Sequence, residues 1–292
     1  MTILVTGSTG NVGSAVIAHL AKSGAEIRAL TRSPGKAEFP VGVTPVAGEL
    51  QDAHAMRAAL AGISTLFLLA PNVPDELTQV INTLSLAREA GVKGIVYLSV
   101  VRADFYTDVP HFTAKYAAER MIEQLDLPAT ILRPSYFFQN DLRLQGALTG
   151  AGLYPTPIGQ AGVSMIDVGD IGEAAAIELL RRERAAGPLP REIFELSGPD
   201  ALTGEAVAAI WSEVLGKPIR SGDGDLAAFE AQMRKAQAPG WMAYELRQMF
   251  RRYQEDGAVA TAAEIERLTK LLGRAPRRYR DFAAEAAKSW QG

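Results

Sequence analysis

Through the first half of the chain, short apolar runs alternate with longer stretches in which apolar residues recur every three or four positions. Thr2–Val5 is an apolar run, Glu26–Thr31 alternates polar and apolar positions, and Val43–Ala47 is a short third segment of the same kind. Residues 64–69, 94–99 and 129–132 continue the series. Between these runs Val12, Val16 and Leu20 mark one face of a helix ending near Gly24, and Leu77, Val80, Ile81 and Leu84 mark another before Gly91. Apolar strands separated by amphipathic helices predict a parallel sheet covered on both faces.

The second half has a different pattern. Glycine and proline cluster between positions 146 and 162, which predicts an excursion away from the sheet. Residues 193–196 are a further strand, followed by a helix ending near Gly216. From Asp225 onward the chain is helix-rich, with Met233, Trp241, Met242, Tyr244, Met249 and Phe250 close together. Thr261 and Glu264 have the spacing of a capping box, and Gly273 can close the helix it opens. The expected fold class is α/β: a Rossmann-type doubly wound parallel sheet with a smaller C-terminal α+β substrate lobe. Residues 1–145 read as the dinucleotide-binding domain, and 146–292 as the smaller lobe interleaved with late pieces of the sheet.

Between the first strand and the first helix lies Thr6-Gly7-Ser8-Thr9-Gly10-Asn11-Val12-Gly13. In a strand–turn–helix context Gly7 permits the turn, Gly10 lets a ligand approach the backbone, and Gly13 lets helix and strand pack closely. The N–H groups and dipole at the helix start favour a pyrophosphate. The whole run from Gly7 to Gly13 is therefore assigned to a dinucleotide. An acidic residue at the end of the second strand would hold the ribose 2′-hydroxyl of NAD. Here that strand ends in Thr31, followed by Arg32, with Lys36 four residues on. A guanidinium grips a 2′-phosphate with paired hydrogen bonds where a carboxylate would repel it, so the expected cofactor is NADP(H).

Composition narrows the remaining chemistry. The 292 residues carry a net charge of −3, which gives no reason to expect nucleic acid as a partner. The absence of cysteine rules out disulfides, thiol catalysis and cysteine-ligated metals. His19, His54 and His111 have no metal-ligand spacing, so no metal is expected. The first residues read as a strand and not as a secretory leader, and no apolar run is long enough to span a bilayer. A cytoplasmic protein that does not engage a membrane is expected, its oligomeric state open and a homodimer one arrangement.

With these features in view the chain resembles the NmrA-like branch of the atypical short-chain dehydrogenase/reductases, nearly end to end. The resemblance rests on the glycine turn, Thr31-Arg32-Ser33-Pro34-Gly35-Lys36, and Gly48-Glu49-Leu50-Gln51-Asp52. Leu132-Arg133-Pro134 leading to Phe138-Gln139-Asn140, the stretch 166–171, Leu196-Ser197-Gly198-Pro199 and Leu272-Gly273-Arg274-Ala275-Pro276 complete it. It implies that Glu49, Leu50 and Asn72 approach the cofactor and that Lys115 lies near the nicotinamide ribose. It also implies that Tyr136, Phe137, Phe138 and Asn140 border the nicotinamide, with Phe138 and Asn140 shared with the substrate.

The larger superfamily works with a Tyr-x-x-x-Lys pair on one helical face, the lysine preparing the phenol to exchange a proton with a carbonyl oxygen. This chain has His111 four residues before Lys115, and Val100 where the catalytic hydroxyl would stand, with Ser99 one place early. Ordinary alcohol–ketone catalysis is thereby put in doubt. Electron-poor acceptors need less help, and orientation supplies most of the effect. Lys115 and His111 are the catalytic candidates, His111 as a weak acid or else a structural residue beside Pro110. The aromatic and methionine cluster from Trp241 to Phe250 is a candidate pocket lining for a flat apolar acceptor, with Trp241 a substrate-site candidate, although core packing of the lobe explains the same spacing. The expected activity is NADPH-dependent hydride transfer to a small-molecule acceptor such as a quinone, an azo dye or a triphenylmethane dye. The rival is a non-catalytic NADP(H)-binding redox sensor, and an epimerase or lyase is a third reading.

Overall fold

The computed structural model describes residues 2–291. In chain order the first elements are β1 (Thr2–Val5), α1 (Asn11–Leu20), β2 (Glu26–Thr31), β3 (Val43–Ala47), α2 (Ala53–Leu60), β4 (Thr65–Leu68) and α3 (Glu76–Glu89). There follow β5 (Gly94–Leu98), α4 (Pro110–Gln124), β6 (Ala129–Pro134), β7 (Leu153–Tyr154), α5 (Val168–Arg184) and β8 (Glu192–Leu196). The chain continues through α6 (Gly204–Leu215), β9 (Arg220–Ser221), α7 (Leu226–Lys235), α8 (Gly240–Glu255), α9 (Ala262–Leu272) and α10 (Tyr279–Gln291).

Seven strands pair in the order β3-β2-β1-β4-β5-β6-β8, every neighbouring pair parallel. The strand order reverses between β1 and β4, which opens a crevice at the carboxyl edge where ligands bind in such sheets. Successive residues of β1 feed opposite faces. Ile3 and Val5 join the core under α1 and α5, while Leu4 joins the core under α2, α3 and α4. Continuous burial of β1, β4, β5 and β6 explains why these strands read as unbroken apolar runs.

Helix boundaries follow local chemistry. Asp52 caps α2 by accepting from the N–H groups of His54 and Ala55, and Pro110 occupies the first turn of α4, where its missing donor costs nothing. The Thr261–Glu264 capping box forms at α9, and Gly273 closes that helix with φ of 68°. Helix α2 has little apolar signal in sequence because its buried face is only Met56, Ala59 and Leu60.

A third core holds the segments outside the sheet. It gathers Tyr154, Trp211, Phe250, Tyr253 and Tyr279 around the small parallel pair β7–β9. At its centre Asp141 accepts hydrogen bonds from Tyr154 Oη at 3.1 Å and Tyr279 Oη at 2.5 Å, and Trp211 donates to Tyr279 Oη. Burial pushes the Asp141 carboxyl up to about 7, against the opposing pull of the two phenols. Among the described residues no helix is long and apolar enough to cross a membrane.

Candidate active-site cleft

The turn after β1 is built as its glycines require. Gly7 adopts φ of 60°, in the left-handed region that side chains disfavour. A Cβ on Gly13 would stand 2.1 Å from the Gly7 carbonyl oxygen, so α1 can approach β1 only without one. Gly10 differs: a Cβ there would meet only Gly7 O, at 3.3 Å, and otherwise open space. Protein packing does not demand glycine at position 10, and the space beside it is open to a ligand. Helix α1 starts at this point with no side-chain cap and no acid in its first turn. Its first N–H groups, which have no partner within the helix, are therefore free to meet an anion.

Two cavities flank this helix start. One, of about 770 Å³, is lined by Gly7, Ser8, Thr9, Gly10, Arg32, Lys36, Glu49 and Leu50 among others. Its charged groups are two cations and one carboxylate. Neither Arg32 nor Lys36 is committed to an ion pair among the described residues. The Ser8 hydroxyl donates to Leu30 O at 2.6 Å, which ties the turn to β2. The second cavity, of about 670 Å³, begins at Asn11 and Val12 and shares Leu69 and Ala70 with the first. The start of α1 thus sits where the two meet, the place for a pyrophosphate between the two ends of a dinucleotide. Glycine-lined backbone, unpaired amides and free cations are the donor set that such a cofactor needs.

The second cavity brings together Asn72, His111, Lys115, Tyr136, Phe137 and Asn140, as the sequence led one to expect of neighbours. Its roof is Phe229 and Met233 of α7 with Met242, Leu246, Met249, Phe250 and Tyr253 of α8; Met242, Met249 and Phe250 belong to the cluster expected there, while Phe229 and Tyr253 do not. Burial pushes the Tyr136 phenol well above its ordinary range. Lys115 Nζ pairs with Glu76 Oε1 at 2.6 Å, both side chains nearly enclosed. Asn72 Nδ2 donates to Glu245 Oε1 at 2.9 Å, and the same oxygen lies 3.4 Å from His111 Nδ1.

Three expected site residues are placed elsewhere. Phe138 is 1% exposed and packs edge-on against Tyr279 in the third core, because the chain turns after Phe137 and directs the next ring inward. Trp241 does not line the cavity; one residue from Met242 is a rotation of about 100° around α8, off the cavity face. Gly13 touches neither cavity and serves the packing of α1 on β1. Ser99 directs its hydroxyl to Glu119 at 2.5 Å, within a buried cluster in which Arg133 also binds Glu119, so it is not aimed at an acceptor. Tyr116 lies under the Arg120 guanidinium, 4.8 Å from ring to Cζ, away from the cavity.

The NmrA-like family model matches residues 1–283. The chain belongs to the NmrA-like family. Among similar members, the NAD(P)H azoreductase of Xenophilus azovorans is 28% identical over 292 residues, covering 99% of each chain. The (4-alkanoyl-5-oxo-2,5-dihydrofuran-3-yl)methyl phosphate reductase of Streptomyces griseus is 32% identical over 294 residues, again covering 99% of each. The Escherichia coli NADPH-dependent quinone oxidoreductase in complex with NADPH superposes with a TM-score of 0.85 at 25% identity, over the full length of both chains. The doubly wound sheet with its C-terminal roof is the architecture that this NmrA-like chain shares with that structure.

Two glutamates were missed in the sequence, Glu76 and Glu245. The second had a signal. It stands at the edge of the apolar stripe Met242, Leu246, Met249, Phe250, Tyr253, where a carboxylate has no place unless something faces it.

Proposed function

We propose that this protein is an NADPH-dependent oxidoreductase that passes hydride to a flat, electron-poor acceptor of the quinone, azo or triphenylmethane class. One observation carries the reading: a cavity with two uncommitted cations, Arg32 and Lys36, opens past the start of α1 into a methionine- and aromatic-lined cavity. The names of the relatives, an azoreductase and a quinone oxidoreductase among them, support the same class. A redox sensor has no need of a roofed acceptor space, and the α7–α8 side of the second cavity favours turnover.

The residues divide the work along the cleft. The amides at the start of α1 hold the pyrophosphate, and Arg32 with Lys36 holds the 2′-phosphate. Lys115, fixed by Glu76, reaches the nicotinamide ribose, while Tyr136, Phe137 and Asn140 set the ring's neighbourhood. The bound cofactor supplies the hydride. The roof of α7 and α8 excludes water and offers polarisable sulfur and aromatic faces to a planar acceptor. Polarising a carbonyl through a tyrosine–lysine pair is not part of this chemistry, since Val100 and His111 stand at the two positions concerned.

Steady-state oxidation of NADPH and NADH with quinone and dye acceptors tests the reading, alongside dissociation constants by calorimetry. Arg32→Asp is expected to lower the preference for NADPH over NADH by about tenfold to a hundredfold, the worth of charge-assisted hydrogen bonds. An unchanged ratio removes Arg32 from the site, and no turnover with any acceptor removes the reductase.

A further inference from the structure

Glu245 of α8 is 5% exposed and reaches two residues of the second cavity's wall without lining the cavity itself. A carboxylate so placed is costly unless it is paired. Its partners are two residues of the sheet unit, Asn72 after β4 and His111 at the start of α4. His111 Nδ1 is sealed from solvent against this carboxylate and has no other polar partner. The ring is 12% exposed and lines the second cavity, so its accessible surface belongs to the other edge, which carries Nε2.

We infer that Glu245 is a positioning residue that accepts the Nδ1–H of His111 and thereby presents Nε2 to the acceptor as a proton donor. The inference rests on the reductase reading. The 3.4 Å separation is just beyond a good hydrogen bond, and catalytic hydrogen bonds are often long in unliganded enzymes and tighten on loading. The arrangement replaces the missing phenol: His111 occupies the position four before Lys115, and its orienting group comes from the opposite side of the cleft.

Reduction of a quinone consumes one hydride, carrying both electrons, and one proton. The hydride adds to the quinone as the donor C–H bond breaks. The proton leaves His111 Nε2 as the O–H bond of the hydroquinone forms. The imidazole is left neutral with its Nδ1–H still directed at Glu245, and water returns a proton to Nε2. A cationic triphenylmethane dye makes a different demand. It takes a hydride alone and becomes a neutral leuco compound, with no proton required.

That difference supplies the test. Glu245→Gln, nearly isosteric, is assayed with NADPH against a naphthoquinone and against a cationic triphenylmethane dye. The expected result is a fall of about tenfold in the ratio of quinone kcat to dye kcat, the usual scale for losing an orienting partner. Equal losses on both acceptors overturn the proton role and leave Glu245 a structural tie.

A second measurement is independent of turnover. With His19 and His54 replaced by Gln, His111 is the sole imidazole, and its ¹⁵N shifts report the tautomer directly. The neutral ring is expected to carry its proton on Nδ1 and to lose that bias in Glu245→Leu. A neutral ring protonated on Nε2 overturns the inference. If wild-type protein reduces neither acceptor, the reductase reading falls, and the tautomer still decides whether Glu245 orients His111.

Discussion

The first cavity takes its walls mainly from consecutive residues at the ends of four neighbouring strands, β1, β2, β3 and β4, whereas the second draws on segments as far apart as Asn11 and Tyr253. The first is held by backbone geometry: a left-handed glycine, a glycine with no room for a Cβ, and a helix start. The second is held by side chains that reach across from other elements, Glu245 to Asn72 at its wall and Tyr279 to Asp141 in the third core, which shares Phe250 and Tyr253 with it. Backbone geometry leaves a short local signature in sequence. A cavity tied together by distant polar contacts leaves isolated charged residues in apolar stripes, which are legible only once the partner is known.

The comparison breaks first at Asp141. Its folded carboxyl titrates near 7 because it is buried, well above the value of about 3.9 for an unfolded aspartate. Between those two values the folded state holds the proton more tightly than the unfolded state does. Stability from this group is therefore fully present below about pH 4 and is lost as pH rises through 7. Asp141→Asn removes the titration. Unfolding free energies from urea titrations of the two proteins should diverge in the variant's favour by about 3 kcal/mol between pH 5 and pH 8. Parallel pH curves would mean that Asp141 is not charged at the expense of the fold, and the tie would lose its electrostatic character.

The phosphate end offers a paired test. Gly13→Ala forces a Cβ against the Gly7 carbonyl oxygen, a backbone atom with no freedom to retreat, and should cost about 2 kcal/mol or more of stability. Gly10→Ala meets nothing in the protein closer than 3.3 Å and should leave the melting temperature nearly unchanged while weakening NADPH binding. Thermal melts and calorimetry on the two variants separate packing from ligand approach. If both variants lose stability equally, the second glycine is a packing residue as well.

The strands, their order and the glycine turn were legible because each depends on a period or a dihedral that neighbours in sequence determine. The place of Arg32 on the wall of the first cavity was legible for the same reason, since it stands one residue past a strand end. Phe138 was misplaced because loop direction after β6 is set by Ile166, whose carbonyl accepts from Phe138 N–H 28 residues upstream. Trp241 was misplaced by the phase of α8: a cluster of large residues names a helix but not which of them face the cleft. Glu76 gave no signal at all, since an acid in the first turn of a helix is ordinary.

The phase of α8 can be tested directly at the acceptor end, with the smallest expected effect. Met242 lies on the cavity face and Trp241 beside it does not. Met242→Ala removes apolar surface that a flat acceptor would cover, worth about 1 kcal/mol, or roughly a fivefold rise in KM for the acceptor. The KM for NADPH should move less, because the lost contact lies beyond the nicotinamide. Trp241→Ala removes a larger side chain, yet should leave the acceptor KM within about twofold, since the ring never enters the cavity. Steady-state kinetics with one quinone at saturating NADPH measure both. A larger effect from Trp241 than from Met242 would mean that α8 turns when an acceptor binds, and the roof would then be a moving part and not a fixed wall.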